Sequence, residues 1–221
     1  PNQDPAFGHE IIQYIQNEAS TIMWLGSEAN QFSSESIKYV SQQLLQNLPH
    51  YQRNPRQLMD GLTVGNEVGP LVITSPLTIL SCADNDGAMD LARELQELRS
   101  GSIAVAKAED VLCNLPPSTG CPVLLLYLNN TTFLNDNGRM EDLVLKSLKI
   151  GIQIILAHEK DSTKGGCDFD TILNQTPDEL TNPPHNLYNA MAVPLYTFDS
   201  YRQVSLRLLI DKMLKSIVLQ S

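Results

Sequence analysis

The side chains able to do chemistry cluster at a few points of the chain. Asp84 and Asp86 follow the apolar run Leu77 to Cys82, where a phosphoryl-accepting site would keep its metal-holding acids. Such a site also needs a carboxylate after a later strand and a lysine after the last one. The run ending Leu128-Asn129-Asn130 supplies no carboxylate, and no Lys ends the run at 190–196. A phosphate cradle fares no better: Ser81 to Gly87 has one Gly and two Asp where backbone N–H groups should meet an anion. The acids Asp84 and Asp86 therefore read first as N-cap oxygens for the helix that follows.

His158-Glu159 beside Gly165-Gly166-Cys167 is the one constellation where imidazole, carboxylate and thiol could converge. It offers a metal site or an activated thiol on one reading, and hydrogen bonds that anchor a loop on the other. The remaining histidines, His9, His50 and His185, lack the i, i+4 pairing of a helical metal site.

The elements that must position these groups change character near residue 70. Before it, Ile11 to Met23 and Ile37 to Leu48 carry apolar residues at helical spacing. Ser33 or Ser34 offers a cap to the second helix, Pro49 ends it, and a short third follows over Pro55 to Met59. Trp24 and the Ile11 to Met23 stripe are expected to be at least partly buried, because an isolated helix pair cannot hide that surface. After residue 70, short apolar strands at 77–82, 102–106, 123–128, 152–157 and 190–196 alternate with helical segments at 88–98, 138–150 and 200–219. Gly151 stops the second of these helices. Ala108 to Gly120 reads as a Pro-containing connection, and Lys160 to Pro184 as a long solvated loop with one turn at 176–179, where Thr176 caps and Pro177 opens the turn.

Near-continuous apolar strands alternating with helices imply a parallel sheet covered on both faces. With right-handed crossovers, five strands predict a flavodoxin-like, doubly wound α/β fold of order 2-1-3-4-5, carrying an α-helical extension over 1–70 packed on a main domain over 71–221. Ligands in such sheets sit beyond the carboxyl ends of the strands.

Composition narrows the function classes. Fifteen Lys and Arg against 25 Asp and Glu give a net charge of −10, whose average field repels a nucleic acid. Hydrophobic residues at 42% against 18% charged indicate a globular chain rather than a disordered one. The longest apolar runs, at 122–128 and 150–157, fall far short of the roughly 20 residues that span a bilayer, so no membrane insertion is expected. The four cysteines form no C-x-x-C pair, which suits reduced thiols in a cytoplasmic compartment. The start, Pro1 to Pro5, reads as a piece cut from a longer polypeptide.

Leu77-Thr-Ile-Leu-Ser-Cys-Ala-Asp84 followed by a helix resembles the first strand and box of Toll/interleukin-1 receptor (TIR) domains. Leu115-Pro-Pro-Ser-Thr-Gly120 sits where that family has its Pro- and Gly-containing BB loop. The helix around Glu141 running into Gly151 and Ile152 to Ala157 resembles the family's acidic third helix and fourth strand. The runs from Ile155 and Gly165, with Thr176 to Leu180 and Tyr201 to Leu206, are similar to a divergent TIR-like subgroup in large multidomain proteins. Against the pattern, Cys82 replaces the aromatic expected beside Ser81, the segment between the second and third strands is short for a full helix, and no Trp precedes Glu141.

The resemblance implies a signalling module that acts by self-association or by pairing with like domains, with no cofactor. On that reading the contact surface includes Leu112, Leu115, Pro116, Pro117 and Gly120, where the two leucines are either exposed contacts or buried anchors of a connector. Asp84, Asp86 and His158 rim the binding edge. The alternative it implies is an NAD-cleaving hydrolase with NAD as substrate and a Glu on the third helix, here Glu141 with Asp142 as neighbour. Glu141 lies ten residues before Gly151, about two more than the family pattern, and two residues rotate a helical side chain by roughly 200°. Little or no NAD cleavage is expected, and Glu141 reads as a partner of the helix dipole.

Overall fold

Strands rich in Leu, Ile and Val pair side by side when helices cover both of their faces, and the chain does this from residue 77 onward. The structure, a computed structural model, describes residues 30–65, 73, 76–99, 101–113, 121–134 and 138–218. The chain forms two units, 1–68 and 69–221. In the second, strands β1 (Leu77–Ser81), β2 (Ile103–Lys107), β3 (Cys121–Leu128), β4 (Gln153–Glu159) and β5 (Val193–Leu195) make one sheet of order β2-β1-β3-β4-β5. All four pairings are parallel, so the flavodoxin-like α/β arrangement holds.

In the first unit, helix α1 (Asn30–Leu45) is followed by α2 (Pro49–Arg53) and α3 (Pro55–Gly61). The expected cap at Ser33 or Ser34 is not made. The helix begins at Asn30, so Ser34 lies inside it and its hydroxyl donates to the Gly65 carbonyl. Pro49 opens the next helix instead of ending the first, which stops at Leu45. Trp24 and the Ile11 to Met23 stripe lie outside the described residues.

The second unit's helices are α4 (Ala88–Leu98), α5 (Ala108–Cys113), α6 (Arg139–Lys149), α7 (Phe169–Gln175), α8 (Asp178–Thr181) and α9 (Asp199–Val218). In α4, Ala88, Leu91, Ala92 and Leu95 recur at i, i+3, i+4 and i+7, and this stripe is buried with Leu206, Leu209 and Met213 of α9 on one sheet face. Ala108 and Leu112 of α5 and Met140, Leu143 and Val144 of α6 cover the other face, together with Ile172 of α7. Gly151, at φ +78°, closes α6 with the paired bonds of a Schellman motif: its N–H donates to Leu148, and that of Ile152 to Ser147.

Three expectations change here. The connection after β2 opens as α5 and buries Leu112, because Ala108 and Leu112 complete an i, i+4 apolar pair against the sheet. The long loop after β4 holds two helices, α7 and α8, whose Ile172 and Leu180 are fully buried. Thr176 does not cap α8, since its hydroxyl is spent on the Ile172 carbonyl and Tyr188. Among the described residues, no helix is long and apolar enough to cross a membrane.

Candidate functional site

Chain reversal between β1 and β3 leaves a crevice at the carboxyl edge of the sheet, because α4 returns on one face and α6 on the other. On the α4 side this crevice is a cleft of about 400 Å³, bounded by the start of α4, the turns after β3 and β4, and Arg202 of α9.

The cleft stands on a buried ion network. Glu159, at the end of β4 and fully buried, accepts four hydrogen bonds: Tyr127 Oη at 2.8 Å, Arg202 Nη1 at 3.2 Å, and the backbone N–H groups of Lys160 at 3.0 Å and Asp161 at 2.9 Å. Arg202 also grips Glu94 of α4 through Nε at 2.7 Å and Nη2 at 2.9 Å. Burial works against the guanidinium's charge, but Glu94 and Glu159 together hold its pKa above the ordinary value. Burial, reinforced by Glu159, likewise raises that of the Tyr127 phenol.

The turn after β1 is anchored rather than reactive. Asn85 exchanges two bonds of 2.8 Å with the Tyr127 backbone, and Gly87 enters α4 at φ +83° with its Cα against the Tyr127 ring. Neither Asp84 nor Asp86 caps α4. Asn85 has taken the turn's side-chain hydrogen bonds and the left-handed Gly87 occupies the cap position, so Asp84 is left to pair with Arg139 Nη2 at 2.9 Å and Asp86 to face solvent at the cleft.

On the α6 side of the same edge, the Cys82 thiol donates to Glu109 Oε1 at 2.9 Å, and that oxygen also accepts the Ala83 N–H at 3.0 Å. Burial and then the Glu109 hydrogen bond push Cys82 up to about 12. Burial opposes ionisation of Glu109, but the bonds from Cys82 and from backbone N–H groups win and lower its pKa. Cys82, Asp84 and Glu109 each offer an atom within 4.8 Å of the others, a spacing a metal could use. Within the chain Glu109 Oε1 takes the thiol and Ala83 hydrogen bonds and Asp84 pairs with Arg139, while Glu109 Oε2 is buried without a hydrogen-bond partner among the described residues.

His158 and Cys167 do meet, as loop anchors. His158 Nε2–H donates to the Cys167 carbonyl at 2.8 Å, and the ring packs 5.9 Å from that of Phe169. Burial lowers the His158 pKa, and burial with Asp168 nearby raises that of Cys167. Gly166 lets the loop close, since a Cβ there would lie 2.6 Å from the Lys160 carbonyl carbon.

Glu141 is half-buried and Asp142 exposed in the first turn of α6, whose last turn holds Lys146 and Lys149, charges that complement both ends of the helix dipole. Glu141 belongs to the helix on the far face from the cleft and does not line it. Leu112 is buried, 7% exposed, and packs in the core on the α6 side of the sheet. Leu115, Pro116, Pro117 and Gly120 lie outside the described residues.

Sequence reasoning missed the Arg202 network. Its signal was a lone Arg at the head of the inward stripe Arg202, Leu206, Leu209 and Met213, a charge that must find a buried partner. No protein-family model matches the chain, and no curated protein matches it.

Proposed function

We propose that residues 69–221 are a TIR-like protein-interaction module of a larger cytoplasmic protein, working by self-association or by binding a like domain rather than by catalysis. The observation that carries this reading is the state of the sheet's carboxyl edge: the Cys82 thiol, the His158 imidazole and the buried Glu159 carboxylate are each held by hydrogen bonds within the fold. A general base or nucleophile needs a pKa tuned toward neutrality and a free path to substrate. Cys82 is held at about 12 and sits against Glu109. The imidazole of His158 is committed to the Cys167 carbonyl. An edge wired in this way serves as a stiff platform, and stiff platforms bind at low ordering cost.

Light scattering of the full chain across concentration, with nicotinamide release measured in parallel, tests the proposal. Mass should rise with concentration, and more steeply at high salt, because copies carrying −10 each repel one another until screened. No nicotinamide should appear. Release of nicotinamide that Glu141→Gln abolishes would replace this reading with the NAD hydrolase.

A further inference from the structure

We propose that the cleft over Arg202 is a binding site for a small, neutral, polyhydroxyl ligand such as a hexose or a cyclitol. Its volume of about 400 Å³ lies at the small end of the range of roughly 300–1,000 Å³ seen for small-molecule sites. The floor is a guanidinium that is only 7% exposed. Arginine has five N–H donors; two go to Glu94 and one to Glu159, which leaves two N–H groups on a buried residue that lines the cleft.

The two walls differ in chemistry. Asp86 in the turn before α4 and Asp90 and Glu94 on the helix recur every four residues and present acceptors, with Asp90 also paired to Arg93 and Glu94 to Arg202. Opposite stand the Asn130 amide and the Lys164 ammonium, which are donors. Among the described residues, neither the Asp86 carboxylate nor the Asn130 side chain has a hydrogen-bond partner. The Asn130 amide is nonetheless held in place: its backbone N–H donates to the Gly165 carbonyl at 2.9 Å, and a Cβ on Gly165 would lie 2.7 Å from Asn130 Oδ1.

Charge selects among the ligands such walls could take. Asp86, Asp90, Glu94 and the underlying Glu159 are opposed by Arg202, by Lys164 and by Arg93, which pairs with Asp90 at 3.3 Å, so four carboxylates face three cations and the cleft keeps a net negative charge. A phosphate or a carboxylate would meet net repulsion, and Arg202 is already neutralised by its two partners. An ammonium would satisfy the acids but leave the Arg202 and Asn130 donors unpaired. A hydroxyl both donates and accepts, so vicinal hydroxyls can bridge the acceptor wall to the donor wall and floor with every group paired.

The test is a titration of the isotopically labelled full chain with D-glucose and with myo-inositol, following the Arg202 Nε–H and Asn130 amide NMR signals. We expect saturable shifts with Kd on the order of 1 mM, weakened about tenfold or more in Asp86→Asn and in Asn130→Ala. Inorganic phosphate and L-glutamate should leave both signals in place. Shifts driven by phosphate or glutamate would make this an anion or zwitterion site and overturn the proposal. Equally fatal are polyol binding that both variants leave intact, and no saturable shift at tens of millimolar polyol. Because none of these readouts depends on concentration-driven association, the site and the interaction module stand or fall separately.

Discussion

Two clusters flank the carboxyl edge of one sheet, and they are built on opposite principles. On the α4 side, Glu94, Arg202, Glu159 and Tyr127 come from four different elements, and Glu159 is sealed from solvent. On the α6 side, Asp84 meets Arg139 with 28% and 63% of their side chains exposed. Where water is excluded, a charge needs a counter-charge within the fold, since an unpaired buried ion costs several kcal/mol. Where water reaches, pairing is optional and contributes little. The difference teaches that removing one partner from the buried cluster is costly, while the open pair can lose one at little cost.

The sharpest way to break this contrast is Arg202→Ala. It strands Glu159 without its counter-ion and releases Glu94, and it should cost about 3–5 kcal/mol, read as a lowered urea midpoint at unchanged slope. A triple replacement, Arg202→Met with Glu94→Leu and Glu159→Gln, should recover much of that loss. If the single substitution proves nearly silent, the network does not carry the role assigned to it.

Next in size is the turn beneath the cleft. Asn85→Ala removes both bonds to the Tyr127 backbone, and the orphaned Tyr127 N–H should cost about 1–3 kcal/mol. Gly87→Ala should be comparable, since its Cβ would sit 2.6 Å from Tyr127 Cε1 at a φ of +83°. On the open side, Asp84→Asn should change stability by less than about 1 kcal/mol, and by less still at high salt. A loss there as large as that of Arg202→Ala would erase the contrast.

The apolar arithmetic of the chain carried most of the fold. Strand runs such as Leu124 to Leu128, and helix stripes such as Leu91, Ala92 and Leu95, are local patterns, and sheet order follows from chirality once they are counted. What stayed illegible was pairing across long separations. Arg202 and Glu94 are 108 residues apart, and nothing local marks them as partners. Short helices inside the 160–184 stretch were hidden for a different reason. Phe169, Ile172 and Leu173 do fall at i, i+3 and i+4, but a seven-residue helix carries under two turns of pattern, and Leu180 is the single apolar residue of a four-residue helix. Asp84 and Asp86 misled because capping chemistry and turn chemistry use the same residue types.

The smallest expected effect concerns pH and the loop that His158 anchors. Burial depresses the His158 pKa below its ordinary 6.5 in the folded chain, while the unfolded chain keeps the ordinary value. Between the two values the unfolded state binds the extra proton, so stability falls as pH drops through 6.5 and levels off below the folded pKa. The Nε2–H bond to the Cys167 carbonyl favours the charged form and works against this, which keeps the effect modest. His158→Gln retains a donor that can reach that carbonyl but cannot titrate. Its stability profile should therefore be flatter than the wild type's between about pH 7 and pH 5, with a similar value at the upper end. If both profiles run parallel, the ring is as solvated as it would be in the unfolded chain, and the loop at Cys167 is held by Gly166 and its neighbours instead.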